Sequence, residues 1–265
     1  MDWSGRVAIV TGGASGIGAA TVQEFANEGV TVAVFDINQA GGEQIVKTLR
    51  AAGHKAYFFH VDVSDAEACR SAVIALEAQL GRLDFLVNSA ASFIAKGLDV
   101  TTADWEQSLG VNVRGYANMV QACYEPMRRA GGGAIVNISS VSAHVAQPNR
   151  WTYNACKGAI ITLTKCQALD LALYGIRVNA VSPGWIWTPE VAKAASGDRA
   201  RWEPIWGRYH MLRRLGEPRE VARAILFLCS DDASFITAAE LAVDGGYLGM
   251  GSEGLGETST FAGSR

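Results

Sequence analysis

Tyr153 and Lys157 stand four residues apart in the run Tyr-Asn-Ala-Cys-Lys, so a helix places them on one face. A free phenol titrates near pH ~10 and is a poor base at neutrality. A nearby ammonium favours the phenolate and lowers that value toward the working pH, as general acid–base catalysis requires. Such a pair can take a proton from an alcohol or return one to a carbonyl oxygen. Taken alone the pattern is loose, and an amphipathic helix with a snorkelling lysine gives it equally well.

A second group precedes it. Thr11-Gly12-Gly13-Ala14-Ser15-Gly16-Ile17-Gly18 follows a short apolar run and opens a helical segment. Glycines there permit a tight turn and let backbone N–H groups approach a pyrophosphate, whose charge a helix N-terminus favours. The spacing is GxxxGxG rather than GxGxxG, and by itself it also reads as a glycine-rich turn. Asp36 adds to it, 18 residues past Gly18 at the end of the next apolar run. An acidic residue there grips ribose hydroxyls and repels a 2′-phosphate. Ser15, Ile37 and Asn38 bring no cation for such a phosphate, so the pattern points to NAD over NADP. The other reading of Asp36 is a turn or cap residue.

These residues need a scaffold. Strand-length apolar runs occur at Arg6–Val10, Val30–Phe35, Ala56–Val61, Asp84–Val87, Ala134–Ile138, Arg177–Val181 and Ala239–Val243. Helix-length segments alternate with them at Ile17–Asn27, Gln39–Ala51, Ala66–Leu80, Thr102–Arg129, Thr152–Leu173 and Arg219–Leu228. Ser64 and Glu67 read as a capping box, and Thr101 or Thr102 as the cap of one long helix. The alternation predicts an α/β fold: a Rossmann-type, doubly wound parallel sheet of about seven strands flanked by helices, in a single domain over 1–265. Pro183–Gly216 reads as an irregular insertion rich in Trp and Arg, with 185–214 as a substrate lid. Residues 248–265 form a Gly- and Ser-rich tail.

Composition narrows the function classes. The chain is 49% hydrophobic and 18% charged, which is globular. A formal net charge of -3 leaves no basic footprint for nucleic acid. No apolar run approaches the ~18 residues of a membrane span, and no signal peptide is visible. Five cysteines at scattered spacings, with no CxxC, read as buried free thiols in a reducing cytoplasm. No His cluster suggests a metal.

The motifs then form a set. TGGASGIG at Thr11–Gly18 is followed by DVSD at Asp62–Asp65, NSAA at Asn88–Ala91 and VNV at Val111–Val113. IVNISS at Ile135–Ser140, YNACK at Tyr153–Lys157 and PGWIWT at Pro183–Thr188 complete it. In this order they resemble the short-chain dehydrogenase/reductase family from Gly5 to Tyr247. The resemblance implies an NAD(H)-dependent oxidoreductase that moves a hydride between nicotinamide and a secondary alcohol or ketone carbon. It implies catalytic Asn112, Ser140, Tyr153 and Lys157. Ser140, rather than its neighbours Ser139 and Ser142, would hydrogen-bond the substrate oxygen. The carbonyl region of Asn112 would hold a water that relays protons to Lys157. For the cofactor it implies Gly12, Ser15, Gly16, Ile17 and Gly18 at the pyrophosphate, Asp36 and Ile37 at the ribose, and Asp62 and Val63 at the adenine. Asn88 and Ala90 would line the next strand end, with Pro183, Gly184, Ile186 and Thr188 at the nicotinamide beside Tyr153 and Lys157. One departure stands out: Ala91 replaces a flexible glycine of the family pattern. Relatives imply a homotetramer built through the two long helices.

The substrate is less legible. His144, Gln147, Asn149 and Arg150 precede Tyr153, and Trp187 lies in the insertion. Residues 185–214 carry six cations against three anions. Such donors suit hydroxyls and a carboxylate. Trp151, Trp185, Trp187, Trp202 and Trp206 offer an aromatic wall for a sugar face or a hydrophobe, or packing between subunits. The preferred substrate is a sugar, polyol or 2-keto-3-deoxy sugar acid. The alternatives are a 3-oxoacyl-(carrier protein) reductase, a steroid or hydrophobic-alcohol dehydrogenase, and a nucleotide sensor on the same fold. The tail, with Glu253, Glu257, Phe261 and Arg265, is expected to pack across a subunit interface onto a partner's substrate loop.

Overall fold

The computed structural model describes residues 3–255. Seven strands form one sheet: β1 (Val7–Thr11), β2 (Thr31–Asp36), β3 (Ala56–His60), β4 (Phe85–Asn88), β5 (Gly133–Ile138), β6 (Ile176–Pro183) and β7 (Glu240–Val243). All pairs are parallel, in the order β3-β2-β1-β4-β5-β6-β7. The helices are α1 (Gly16–Asn27), α2 (Gln39–Ala51), α3 (Ala66–Leu80), α4 (Thr102–Leu109), α5 (Gly115–Arg129), α6 (Trp151–Leu171), α7 (Pro189–Ala194), α8 (Arg199–Gly207) and α9 (Pro218–Cys229).

Alternation of side chains across the strand divides the core in two. Ala8 and Val10 of β1 face one apolar layer with Phe25 of α1, Leu49 of α2 and Ile225 of α9. Val7 and Ile9 face the other, with Leu76 of α3, Met119 of α5 and Leu171 of α6. Both faces are covered, which is why the strands read as continuous apolar runs. Buried Asp84 joins the lower ends of β1 and β4. It accepts hydrogen bonds from the Val7 N–H and from Arg6 and Arg82 at 2.5–2.9 Å. Strand order reverses between β1 and β4, so a crevice opens beyond their C-terminal ends, where open α/β sheets hold ligands.

The predicted elements are all present, with ends shifted by a residue or two. Three local readings need correction. The cap of α3 is Asp65, whose carboxylate accepts from the Glu67 and Ala68 N–H groups; Ser64 instead donates to Asp62. The expected single helix from Thr102 is interrupted by a π-helical turn at Gly110–Arg114. Asn112 explains the interruption: its amide donates to the Ser108 carbonyl four residues back and to the Ser92 carbonyl outside the helix. A side chain inserted into the ladder opens the turn. Thr101 caps α4 in a capping box with Asp104. Finally, the 183–216 segment is not irregular, since Thr188 and Asp198 cap α7 and α8 within it. Among the described residues no helix is long and apolar enough to cross a membrane. Cys69, Cys123, Cys156 and Cys229 are buried, but Cys166 is exposed, contrary to expectation.

Two glycines test how tightly the scaffold is drawn. A Cβ on Gly18 would lie 2.2 Å from the Gly12 carbonyl oxygen, whereas one on Gly158 in α6 would come no nearer than 3.9 Å to the Ala143 carbonyl oxygen. Gly18→Ala should therefore cost about 2 kcal/mol through overpacking. Gly158→Ala should stabilise by about 1 kcal/mol through helix propensity. Urea midpoints check both; a Gly18→Ala protein as stable as wild type contradicts the packing argument.

Candidate active site

The glycine loop is set by its neighbours. Gly12 and Gly16 adopt left-handed φ of 64° and 54°. A Cβ at Gly12 would sit 2.8 Å from the Ala90 backbone at the end of β4. Thr11 fastens that junction, its hydroxyl accepting from the Ser89 and Ala90 N–H groups at 3.0 and 3.1 Å. Ser15 starts α1 with an extended backbone and makes no side-chain capping bond. The first turn of α1 carries no acidic residue. The helix N-terminus thus keeps its donors and positive end for an anion.

Asp36 ends β2 beside this loop. One carboxylate oxygen accepts from the Ala14 N–H at 2.9 Å and the other from the Asn38 N–H at 2.8 Å. Asp36 thus shapes the turn, in line with one of its two sequence readings, and stands beside the glycine loop. Ile37 is exposed, and Ile17 packs partly against the core. Asp62 is exposed and holds its own turn through Ser64. Val63 is buried, its carbonyl accepting from Asn118 at 2.9 Å. Asn88 is fully buried. Its amide donates to Asn137 at 2.9 Å, and Asn137 donates to Thr164 and Gln167. Asn88 thus ties β4 to β5 and, through Asn137, to α6. Its amide oxygen has no partner among the described residues. Ala91 is not in the left-handed region, so its Cβ costs nothing there.

These features fit a dinucleotide: an open helix N-terminus, a glycine turn packed against β4 and a carboxylate at the end of β2. Gly12, Ser15, Gly16, Ile17 and Gly18 at one end and Asp36 at the other would be the residues to hold it.

The proton-handling group lies beyond β5. Ser139 donates to the Lys157 carbonyl at 2.8 Å, which seats α6 on β5 and leaves Ser140 facing the site. Ser140 caps the short turn after β5, accepting from the Ser142 N–H at 3.1 Å, and faces the Tyr153 phenol. Lys157 is 2% exposed. Its ammonium donates to the Ile138 carbonyl at 2.7 Å and lies 5.5 Å from the Tyr153 ring centre and 5.8 Å from that of Tyr116. Burial brings its pKa down to about 8, so it still carries its proton at neutral pH. The Tyr153 phenol is also displaced, but upward, because burial outweighs the Ser140 hydrogen bond and the Arg150 charge. The expected lowering rests on Lys157 together with the positive charge of an oxidised nicotinamide. Asn112 is buried in the π-turn and ties to Ser92 through both amide atoms, at 2.9 and 3.1 Å.

The substrate side is only partly as expected. Gln147 accepts from Ser142 at 2.6 Å and from Arg150 at 3.2 Å. The Arg150 guanidinium lies between Phe93 and Trp185, 5.2 and 5.1 Å from their ring centres. His144 instead pairs with Glu240 of β7 at 2.6 Å. Trp187 is covered by Arg199 at 5.1 Å. Pro183 and Gly184 lead out of β6, and Ile186 bridges to Gly216. Thr188 lies near Gly16, with 3.4 Å between its methyl and a Cβ built there. Trp185, Trp206 and Trp202 stack in series, with centroids 5.0 and 4.8 Å apart. Two cations of 185–214 are paired with carboxylates: Arg199 with Glu203 and Glu217, and Arg214 with Glu220.

Two residues escaped the sequence reading. Phe93, in the loop after β4, packs edge-on against Tyr153 at 5.0 Å. Its signal was a lone aromatic in a loop without regular structure. His210 is buried and accepts from the Trp185 N–H at 3.2 Å; no spacing pattern marks it. Of the tail, Gly246 and Leu248 bond to Asp244, and Arg213 donates to the Gly254 carbonyl. Glu257, Phe261 and Arg265 lie outside the described residues.

Comparison with known proteins adds independent weight. Residues 12–248 match a family model described as Enoyl-(Acyl carrier protein) reductase. Cyclopentanol dehydrogenase of Comamonas sp. (strain NCIMB 9872) is 42% identical over 246 residues, covering 91% of this chain and 96% of that protein. Cis-4-hydroxycyclohexanecarboxylate dehydrogenase of Sinomonas cyclohexanicum is 41% identical over 249 residues, covering 92% and 97%. The crystal structure of gox2181 superposes with a TM-score of 0.88 at 33% identity, covering 93% of this chain and 97% of that one. A parallel seven-stranded sheet, a glycine turn at its switch point and a serine–tyrosine–lysine group beyond β5 thus coincide with relatives named as dehydrogenases: the chain belongs to the short-chain dehydrogenase/reductase family and is an oxidoreductase.

Proposed function

We propose that this chain is an NAD(H)-dependent dehydrogenase of secondary alcohols. The observation that carries the reading is the meeting of Ser140, Tyr153 and buried Lys157 at the sheet edge that also holds the glycine turn and Asp36. Oxidation of a secondary alcohol removes a proton from oxygen and a hydride from carbon. The bound nicotinamide supplies the hydride acceptor and, when oxidised, a positive charge. Ser140 donates to the substrate oxygen and fixes its place. Tyr153 takes the hydroxyl proton, and in the reverse direction returns it. Lys157, charged at neutral pH and close to the phenol ring, stabilises the phenolate as it forms. Asn112 fixes the π-turn and the Ser92 loop in front of Tyr153, and its carbonyl region carries a water that relays protons to Lys157.

Two relatives are named for secondary alcohols on five- and six-membered rings. The apolar surroundings that Phe93 and Trp185 give the site suit such a ring, and also the apolar face of a sugar. A ring alcohol or ring-forming polyol is therefore the preferred substrate class, with the 2-keto-3-deoxy sugar acids kept within it. Association into a tetramer through α4, α5 and α6 belongs to the same reading.

Tyr153→Phe should abolish nearly all turnover, by a factor on the order of 10³, and leave NADH affinity near wild type. Steady-state rates and NADH fluorescence titration measure the two; turnover within tenfold of wild type refutes the assignment. Asp36 generates a second expectation. The wild type should prefer NAD over NADP by about tenfold or more in kcat/KM, roughly 1.4 kcal/mol. Asp36→Ala should narrow that preference by removing repulsion of the 2′-phosphate. Because the carboxylate also holds the Ala14 and Asn38 N–H groups, the variant should lose some NAD affinity too. Equal use of both cofactors by wild type contradicts this role.

A further inference from the structure

Arg150 differs from the other arginines near the site. Arg199 and Arg214 are paired with glutamates. Arg150 has no carboxylate partner among the described residues, and only one of its donors is engaged, on the neutral Gln147 amide. It is half-buried between two aromatic faces, and that desolvation disfavours its charge. A guanidinium so placed gains from cation–π contact but keeps most of its fork of N–H groups unmatched. A bidentate carboxylate fits that fork.

Its place ties it to the reaction centre. Phe93 touches Tyr153 at 5.0 Å and Arg150 at 5.2 Å, so the phenol and the guanidinium rest against one ring. A hydrogen-bonded chain also links Ser140 to the guanidinium: Ser140 to Ser142 at 3.1 Å, Ser142 to Gln147 at 2.6 Å, and Arg150 to Gln147 at 3.2 Å. The residue that positions the reacting oxygen and the residue that awaits an anion are held in one network.

We propose that Arg150, braced by Gln147, Phe93 and Trp185, is a carboxylate anchor, and that the substrates of this enzyme are ring-sized hydroxy acids whose carboxylate lies across the molecule from the carbinol. This rests on the dehydrogenase reading above and assigns its substrate class. No bond changes at Arg150; it orients the substrate and selects for its charge.

The test compares a hydroxycyclohexanecarboxylate with its carboxamide and with cyclohexanol, using NAD and the full chain. Wild type should favour the acid over the amide by about tenfold or more in kcat/KM, mainly through KM. In Arg150→Met the ratio should fall to about threefold or less, with Arg150→Lys between the two. A measurement on wild type alone guards against misfolding of the variants. Cyclohexanecarboxylate, which has no hydroxyl to oxidise, should compete with the alcohol substrate about tenfold more strongly than cyclohexanecarboxamide. Oxidation of cyclohexanol and the amide as efficiently as the acid, with equal inhibition by the two probes, overturns the anchor and leaves the dehydrogenase reading standing. Failure to oxidise any of the three by an enzyme that binds NADH overturns that reading and the anchor with it.

Discussion

A lysine ammonium buried to 2% exposure is the constraint around which this structure is arranged. An isolated charge in such a place is costly, and the fold must answer it with dipoles and rings. The Ile138 carbonyl, at the end of β5, accepts from Lys157 at 2.7 Å and also from the Tyr116 hydroxyl at 3.2 Å. Tyr116 and Tyr153 place their rings alongside the ammonium. Ser139 fixes the Lys157 backbone, so α6 sits in one position on the sheet. The result is a cation at a pKa of about 8 beside a phenol that burial pushes up.

The opposite half of the crevice is organised by backbone rather than by charge. Gly12, Gly18 and the end of β4 approach more closely than any side chain allows. Thr11 and Asp36 then peg the loop from either side. Rigidity here and an unoccupied helix cap at Ser15 serve the same end: donors held ready for an anion without rearrangement. The two halves communicate through the 184–216 segment, where Thr188 lies near Gly16 and Trp185 reaches Arg150.

That segment also shows how a composition signal can mislead. Its excess of arginine suggests a cationic lid, yet Arg199 and Arg214 are satisfied locally by glutamates. The cation that matters stands outside it, at the start of α6. Aromatic stacking of Trp185 on Trp206 and Trp202 gives the segment a stiff inner layer, and His210 ties its first residues down.

What the sequence alone determined was whatever depends on periodicity and short-range spacing. Alternating apolar runs specified seven parallel strands and the helices between them, because strand and helix periods differ and both faces of each strand are buried. Glycine spacing, Asp36 and the Tyr153–Lys157 interval marked the two halves of the crevice, because each is a local motif. Tertiary structure alone decided whatever depends on which distant group arrives as a partner. It turned Asn112 into the wedge of a π-turn through Ser92, gave His144 to Glu240, and brought Phe93 against both Tyr153 and Arg150. It also set the degree of desolvation around the Tyr153 phenol, through packing from α6 and the Phe93 loop together, which no spacing within one segment encodes.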